Sequence, residues 1–129
     1  MLGYDAPMKP ETERWLQRAE EDLMAAELAL DHGFLNICIF QNHEAIEKVL
    51  KAIWIETKGE LAEKTHNLPY LAEELGLQLS AERREFLRKL YWQLIPSRYP
   101  EGPEPDWATV EWYHEKTKGM FSWLRRMLK

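Results

Sequence analysis

Residues 34–57 read FLNICIFQNHEAIEKVLKAIWIET, and this stretch decides the fold. Its apolar residues recur with a helical period and cover more than half of the circumference, and Gly59 follows as a natural helix stop. A helix with so wide an apolar surface must contact several neighbours or a second subunit. The stretch therefore predicts a central helix in an all-helical domain.

A narrow polar stripe runs along the same helix and contains Gln41, Glu44, Lys48 and Lys51. Glu44–Lys48 and Glu47–Lys51 have the spacing, with the carboxylate first, that favours ion pairs on a helix surface. Ion pairing within one helix is sufficient to explain this stripe.

Further helical patterns lie on both sides of the central helix. One is expected from near Pro10 to just before Gly33, and a short helix should follow residues 65–67, where Asn67 or Thr65 can cap it. Another starts at Ser80, and the last carries an apolar stripe of Val110, Tyr113, Thr117, Met120, Leu124 and Leu128. Four long helices and one short helix with mostly short connections predict an all-α, up-and-down antiparallel bundle.

The composition fits one soluble globular domain. With 129 residues, 45% of them hydrophobic and 30% charged, the chain can bury a core, and we expect a single domain over residues 1–129 with its core at about 13–127. The absence of a long apolar run and of a signal-peptide pattern predicts a cytoplasmic protein without membrane contact. A formal charge of −5 disfavours strong sequence-independent binding to nucleic acid.

The helical pattern is interrupted at residues 96–100, PSRYP, which isolate Arg98 between two prolines. Proline disfavours a helical conformation of the residue before it, so Ile95 and Tyr99 are both expected to be extended. A guanidinium beside an aromatic ring on a stiff connector suits recognition of an anion or a base. The alternative is a helix stop whose arginine caps a neighbouring helix or pairs with a carboxylate.

The residue types that usually carry metal or nucleophilic chemistry form no recognisable motif. His32, His43, His66 and His114 are scattered without zinc or di-iron spacing, and Cys38 in an apolar turn would be a poor thiolate. We therefore expect no metal, no cofactor and no nucleophilic catalysis. The residues left for a site form a polar cluster drawn from several helices: Asp22, Gln41, Glu44, Lys48, His66 and Arg98.

Four short blocks together point to a family. Residues 45–52, AIEKVLKA, are similar to a block Ala-x-Glu-Lys-x-x-Lys-Ala, and residues 65–68, THNL, to Thr-His-x-Leu. Residues 97–100, SRYP, contain Arg-Tyr-Pro, and residues 19–23 fit Ala-x-x-Asp-Leu. In this order and spacing, over roughly residues 13–127, the chain resembles the HEPN family, the higher eukaryote and prokaryote nucleotide-binding domains.

The resemblance implies an all-α bundle that commonly dimerises. It also implies an association with minimal nucleotidyltransferases. The two proteins are often encoded by neighbouring genes as toxin–antitoxin-like pairs. Many HEPN proteins are metal-independent ribonucleases with an arginine, four to six intervening residues and a histidine. Arg98 is followed by YPEGPEPDW, without a histidine at that distance, so the ribonuclease activity is not carried over.

The sequence thus predicts a non-catalytic HEPN module. We expect a homodimer that binds a nucleotide, a nucleic-acid end or a partner nucleotidyltransferase. Arg98 would contact phosphate, Tyr99 would pack on a base or orient the arginine, and Lys48 or Lys51 would add positive charge. The supporting polar residues would be Asp22, Gln41, Glu44 and His66.

Two alternatives remain at this stage. In the first, the chain is a divergent metal-independent ribonuclease that uses Arg98 and His66, which requires that folding brings these two residues together. Otherwise it is a purely structural dimeric bundle in which Arg98 pairs with Asp22 or Glu44 and locks the connector to the bundle.

Overall fold

The computed structural model describes residues 7–128, and every regular element in this range is helical. The predicted all-α antiparallel bundle is confirmed, while residues 1–6 and 129 of the predicted domain lie outside the described residues. None of the helices between residues 7 and 128 combines the length and apolarity needed to cross a bilayer. The elements are α1 (Pro10–Asp31), α2 (Leu35–Lys58), α3 (Leu68–Glu74), α4 (Ala81–Trp92), α5 (Leu94–Arg98), α6 (Trp107–Arg125) and a 3₁₀ turn (Arg126–Leu128).

Helix α2 lies at the centre of the bundle, as its sequence predicts. It packs against α1, α3, α4, α5 and α6. Because its apolar residues surround most of the axis, each neighbour can bury part of the same helix. Full burial of an aliphatic side chain contributes about 1.5–3 kcal/mol, which makes α2 the main source of core stability. Its fully or almost fully buried aliphatic residues include Ala45, Ile46, Val49, Leu50, Ala52 and Ile53.

The helix ends that frame the site are fixed by caps that sequence reasoning predicts. Gly59 ends α2 in the left-handed region at φ 73°, where a residue with a Cβ would be strained. The side chain of Asn67 accepts a hydrogen bond from the backbone N–H of Tyr70 at the start of α3. Ser80 does the same for the N–H of Arg83 in α4.

The proline-containing connector is partly helical, which corrects one expectation. The sequence predicts an extended Ile95, but this residue lies inside the five-residue helix α5, an element that the sequence pattern does not predict. Pro96 is the third residue of α5, and a first-turn residue has no intrahelical acceptor for its N–H, so proline costs little there. Tyr99 is extended as predicted, with φ −132° and ψ 143°.

Candidate functional site

An open cleft of about 500 Å³ lies where α4 and α5 face the connection between α2 and α3. We call it the Arg98 cleft. Folding brings two of the sequence blocks together in it, with Thr65 and His66 from Thr-His-x-Leu and Arg98 from Arg-Tyr-Pro. The residues that line it are Lys64, Thr65, His66, Tyr91, Trp92, Leu94, Ile95 and Arg98.

Arg98 is the last residue of α5, and its guanidinium rests on aromatic rings. Its central carbon lies 5.7 Å from the centre of the Phe40 ring and 5.9 Å from that of Tyr99. Among residues 7–128, no carboxylate oxygen lies within 4.0 Å of the guanidinium, so neither Asp22 nor Glu44 pairs with it. The charge of Arg98 therefore has no anionic partner in the described part of the chain.

His66 is held in the cleft by a buried carboxylate. Its Nδ1 lies 2.9 Å from Oε1 of Glu47, and the side chain of His66 is 59% exposed, whereas that of Glu47 is 6% exposed. Because a carboxylate accepts, Nδ1 carries the proton and donates it, which leaves Nε2 as the free nitrogen of a neutral ring. A carboxylate that orients a histidine in this way is typical of acid–base sites.

A second histidine lies buried behind the first. His43 is fully buried, and its Nε2 donates a hydrogen bond to the backbone carbonyl of His66 at 3.0 Å. Its Nδ1 faces the carboxylates of Glu44 and Glu47 at 3.6 and 3.7 Å and has no hydrogen-bond partner in the described part of the chain.

The donor atoms of this cluster are close enough to share one ion. One ligand atom each from His43, Glu44 and Glu47 lie within 4.8 Å of one another, in residues that are buried or nearly so. The carboxylates and imidazole are ligand types that divalent transition metals accept. The cluster borders the Arg98 cleft through His66.

The predicted lysines lie elsewhere. Lys48 donates to Asp22 of α1 at 2.6 Å. It also lines a separate groove of about 260 Å³ with Arg14, Trp15 and Arg18. Lys51 is buried and pairs with Glu47 at 2.9 Å.

The structure thus brings His66 and Arg98 together but does not bring Lys48 or Lys51 into their cleft. Glu44 pairs with Lys48 at 3.9 Å, so both ion pairs predicted within α2 are confirmed. Gln41, the remaining predicted polar residue, is half-buried on α2.

Sequence reasoning misses the roles of Glu47 and His43 at this site. Helical spacing identifies Glu47 only as the ion-pair partner of Lys51, yet it uses its second oxygen for His66. His43 stands out in the sequence only as one of four scattered histidines. One signal is present: positions 43, 44 and 47 fall within one turn or so of helix, so their side chains occupy adjacent positions on α2.

Cys38 behaves as the sequence indicates. It is fully buried, and burial raises the pKa of its thiol to about 11. A thiol with so high a pKa is almost entirely protonated near neutral pH, which makes it a poor nucleophile.

A comparison with protein families matches the HEPN domain model to residues 12–127. The chain belongs to the HEPN family. The resemblance deduced from the four sequence blocks is thereby confirmed.

Two solved structures share this HEPN fold. TT1696 from Thermus thermophilus is 21% identical, with a TM-score of 0.78, and the match covers 92% of this chain and 98% of that one. ST0689, an archaeal HEPN homologue, is also 21% identical, with a TM-score of 0.72 and the same coverage. No curated protein gives a significant match. At this identity the likeness establishes the fold alone.

Proposed function

We propose that this HEPN protein binds a nucleotide or a nucleic-acid phosphate in the Arg98 cleft. The observation that supports the proposal is Arg98 itself, a guanidinium on the cleft wall with no carboxylate within 4.0 Å among residues 7–128. A phosphate would supply the missing anionic partner through paired N–H···O hydrogen bonds. Catalysis is not required for this function.

The other cleft residues suit a nucleotide better than a bare anion. Trp92 lines the cleft with 69% of its surface exposed, and Tyr99, which is half exposed, flanks Arg98. An exposed aromatic ring offers a stacking surface to any base. Lys64 adds a second cation to the same cleft. A local cluster of this kind can bind one phosphate group although the whole chain carries a net charge of −5.

Fluorescence anisotropy with a labelled single-stranded RNA, followed by competition with unlabelled mononucleotides, tests the proposal. Wild-type protein should bind, and Arg98→Ala should bind much more weakly. Arg126→Ala is the matched control, since Arg126 is an exposed arginine on the 3₁₀ turn outside the cleft. Absence of binding by the wild type, or equal binding by Arg98→Ala, contradicts the proposal.

The second candidate function is metal-independent RNA cleavage by Arg98 and His66. The contact of His66 with Glu47 at 2.9 Å favours it, because the free Nε2 is then positioned by a fixed ring. His66 would accept the proton of a ribose 2′-hydroxyl as this oxygen attacks the adjacent phosphorus. It would then return a proton to the departing 5′ oxygen, while Arg98 neutralises the phosphate.

Cleavage of a labelled RNA in the presence of a chelator distinguishes the two functions. The ribonuclease candidate predicts cleavage that is lost in His66→Ala although RNA binding persists. If RNA stays intact over a concentration series of wild-type protein, the ribonuclease function is excluded. The proposed binding function is unaffected by that result.

A homodimer is the assembly that we propose, in keeping with the family. Four large apolar side chains near the α1–α2 turn are exposed, Met24, Leu28, Phe34 and Ile37, with exposed fractions of 53–67%. Contiguous exposed apolar patches are typical of surfaces that associate, and Met24 and Leu28 lie one turn apart on α1. The alternative is that this surface binds a minimal nucleotidyltransferase, as the partner in a toxin–antitoxin-like pair. If neither ligand nor RNA binds, the purely structural dimer remains.

A further inference from the structure

A cluster of two histidines and two carboxylates lies behind the wall of the Arg98 cleft. We propose that His43, Glu44, Glu47 and His66 bind one divalent transition-metal ion, for which Zn²⁺ is the best fit. The site goes beyond the proposed phosphate-binding function and shares only His66 with it.

The distances between donor atoms fit a tetrahedral ion. Nδ1 of His43 lies 3.6 Å from Oε2 of Glu44 and 3.7 Å from Oε1 of Glu47, which is too long for hydrogen bonds. Zinc–ligand bonds of about 2.0–2.2 Å place neighbouring donors of a tetrahedron roughly 3.3–3.6 Å apart. The two distances from His43 thus fit a shared ion within a few tenths of an ångström, and the two carboxylate oxygens lie within 4.8 Å of each other.

The tautomer of His43 is the one that a metal ligand requires. Its Nε2–H donates to the backbone carbonyl of His66 at 3.0 Å, so a neutral ring has its lone pair on Nδ1. That nitrogen is fully buried and has no hydrogen-bond partner within residues 7–128. A buried polar atom without a partner is costly, and a cation between it and the carboxylates removes the cost. A ligating histidine that donates its other N–H to a carbonyl is the common arrangement around bound metals.

Each of the two carboxylates has one oxygen near a lysine and the other oxygen at the candidate site. Lys48 lies 3.9 Å from Oε1 of Glu44, and Lys51 lies 2.9 Å from Oε2 of Glu47. The other oxygen of each carboxylate faces His43. The lysines thus orient the carboxylates and balance their charge, while each carboxylate keeps one oxygen for an ion.

His66 would supply the fourth donor by moving toward the other three, since only the atoms of His43, Glu44 and Glu47 already lie within 4.8 Å of one another. Its Nδ1 lies 2.9 Å from Oε1 of Glu47, at the exposed side of the cluster. In a neutral ring, transfer of the proton from Nδ1 to Nε2 converts Nδ1 from a hydrogen-bond donor into a ligand. Two imidazoles with two carboxylates suit zinc, whereas Mg²⁺ prefers oxygen ligands and retains its waters. The bound ion would fasten the α2–α3 connection to α2, and Nε2 of His66 would still face the Arg98 cleft.

Calorimetry on chelator-treated full-length protein tests the site without any nucleotide or RNA, so its outcome does not depend on the phosphate-binding proposal. Titration with Zn²⁺ should show one ion per chain and a rise in melting temperature. Co²⁺ should produce the intense visible absorption of tetrahedral coordination, and excess Mg²⁺ should not displace Zn²⁺.

Variants identify the ligands. Glu44→Gln, His43→Gln and His66→Ala should each weaken Zn²⁺ binding by at least about tenfold, because even outer-shell substitutions at metal sites cost about 10–100-fold. His32→Gln is the control, since His32 is exposed at the end of α1. If the buried His43→Gln substitution prevents folding, the Zn²⁺ affinity of Glu44→Gln is the decisive measurement. Absence of saturable Zn²⁺ binding, or wild-type affinity in Glu44→Gln, overturns the proposal.

Discussion

Glu47 and His66 are joined at 2.9 Å across the boundary between the central helix and the α2–α3 connection. The connection has no regular secondary structure between Gly59 and Asn67, so its path depends on contacts of this kind. Glu47 holds His66 with one oxygen and Lys51 with the other. One buried carboxylate therefore links the core of the bundle to the wall of the Arg98 cleft.

Glu47→Ala should destabilise the protein strongly. It leaves the ammonium group of Lys51 buried without its carboxylate, and loss of one partner of a buried pair typically costs about 3–5 kcal/mol. Urea unfolding followed by circular dichroism measures the change. Glu85→Ala is the control, because Glu85 pairs with Arg88 on the exposed face of α4 and should leave the unfolding midpoint nearly unchanged. Similar midpoints for the two variants would show that the Glu47 pair is not important for stability.

Arg98→Ala should have little effect on stability. With no carboxylate partner in the described part of the chain, Arg98 contributes only its contacts with Phe40 and Tyr99, and such cation–π contacts are worth about 0.5–1 kcal/mol at exposed sites. A thermal melt of the variant measures this directly. A loss of several kcal/mol would instead support the purely structural role in which the arginine locks the connector.

The fold and the centre of the site are predictable from sequence to different degrees. The position of α2 follows from the width of its apolar surface, which is a property of the local sequence, and the Arg98 and His66 motifs are local too. The convergence of His43, Glu47 and His66 is not predictable, because His66 comes from an irregular segment whose path is set by tertiary contacts. The expectation for Ile95 is wrong because the penalty before proline is outweighed by the favourable position of Pro96 in a first helical turn.

Lys48 and Lys51 illustrate a second limit of sequence reasoning. Both lie on the polar stripe of α2, and nothing local distinguishes a lysine that faces a ligand from one that faces a carboxylate. The structure pairs Lys48 with Asp22 of α1 and buries Lys51 against Glu47. The polarity of a stripe therefore does not reveal which neighbouring element will satisfy it.

Glu27→Gln should reduce the loss of stability in acid. His114, which is buried in α6, lies 2.6 Å from Oε1 of Glu27 and lowers the pKa of this carboxyl below its ordinary value of 4.5. A carboxyl whose pKa is depressed by folding contributes stability above its unfolded pKa, and this contribution is lost as pH falls through the folded pKa. Melting temperatures should therefore be lower than wild type at neutral pH, and the difference should shrink below pH 4.5.

Glu21→Gln is the control for that pH series, since Glu21 is an exposed carboxylate on the same helix. It should melt like the wild type at every pH. A constant difference between Glu27→Gln and wild type down to strongly acidic pH would contradict the assignment of the effect to ionised Glu27.

Leu28→Lys should dissociate the proposed homodimer. Leu28 is 59% exposed on α1, and a charge placed in an apolar interface must be desolvated without a partner. Light scattering after gel filtration should give the mass of two chains for the wild type and of one chain for the variant, with unchanged helicity. Leu61→Lys is the control, because Leu61 is 71% exposed in the α2–α3 connection. A wild-type protein that remains monomeric at high concentration would refute the dimer, and dissociation by Leu61→Lys would place its interface elsewhere.

Trp92→Ala should weaken the proposed RNA binding while leaving the proposed phosphate contact of Arg98 in place. Base–aromatic stacking is worth about 1–3 kcal/mol per base, so the dissociation constant for a short single-stranded RNA should rise about 5- to 150-fold. Inorganic phosphate or pyrophosphate, which has no base, should compete equally well in both proteins. Trp107→Ala is the control, since Trp107 is a half-exposed tryptophan that begins α6 and does not line the cleft. Equal losses in the two tryptophan variants would mean that RNA contacts the aromatic surface of the bundle at large, and an unchanged affinity in Trp92→Ala would restrict recognition to the phosphate.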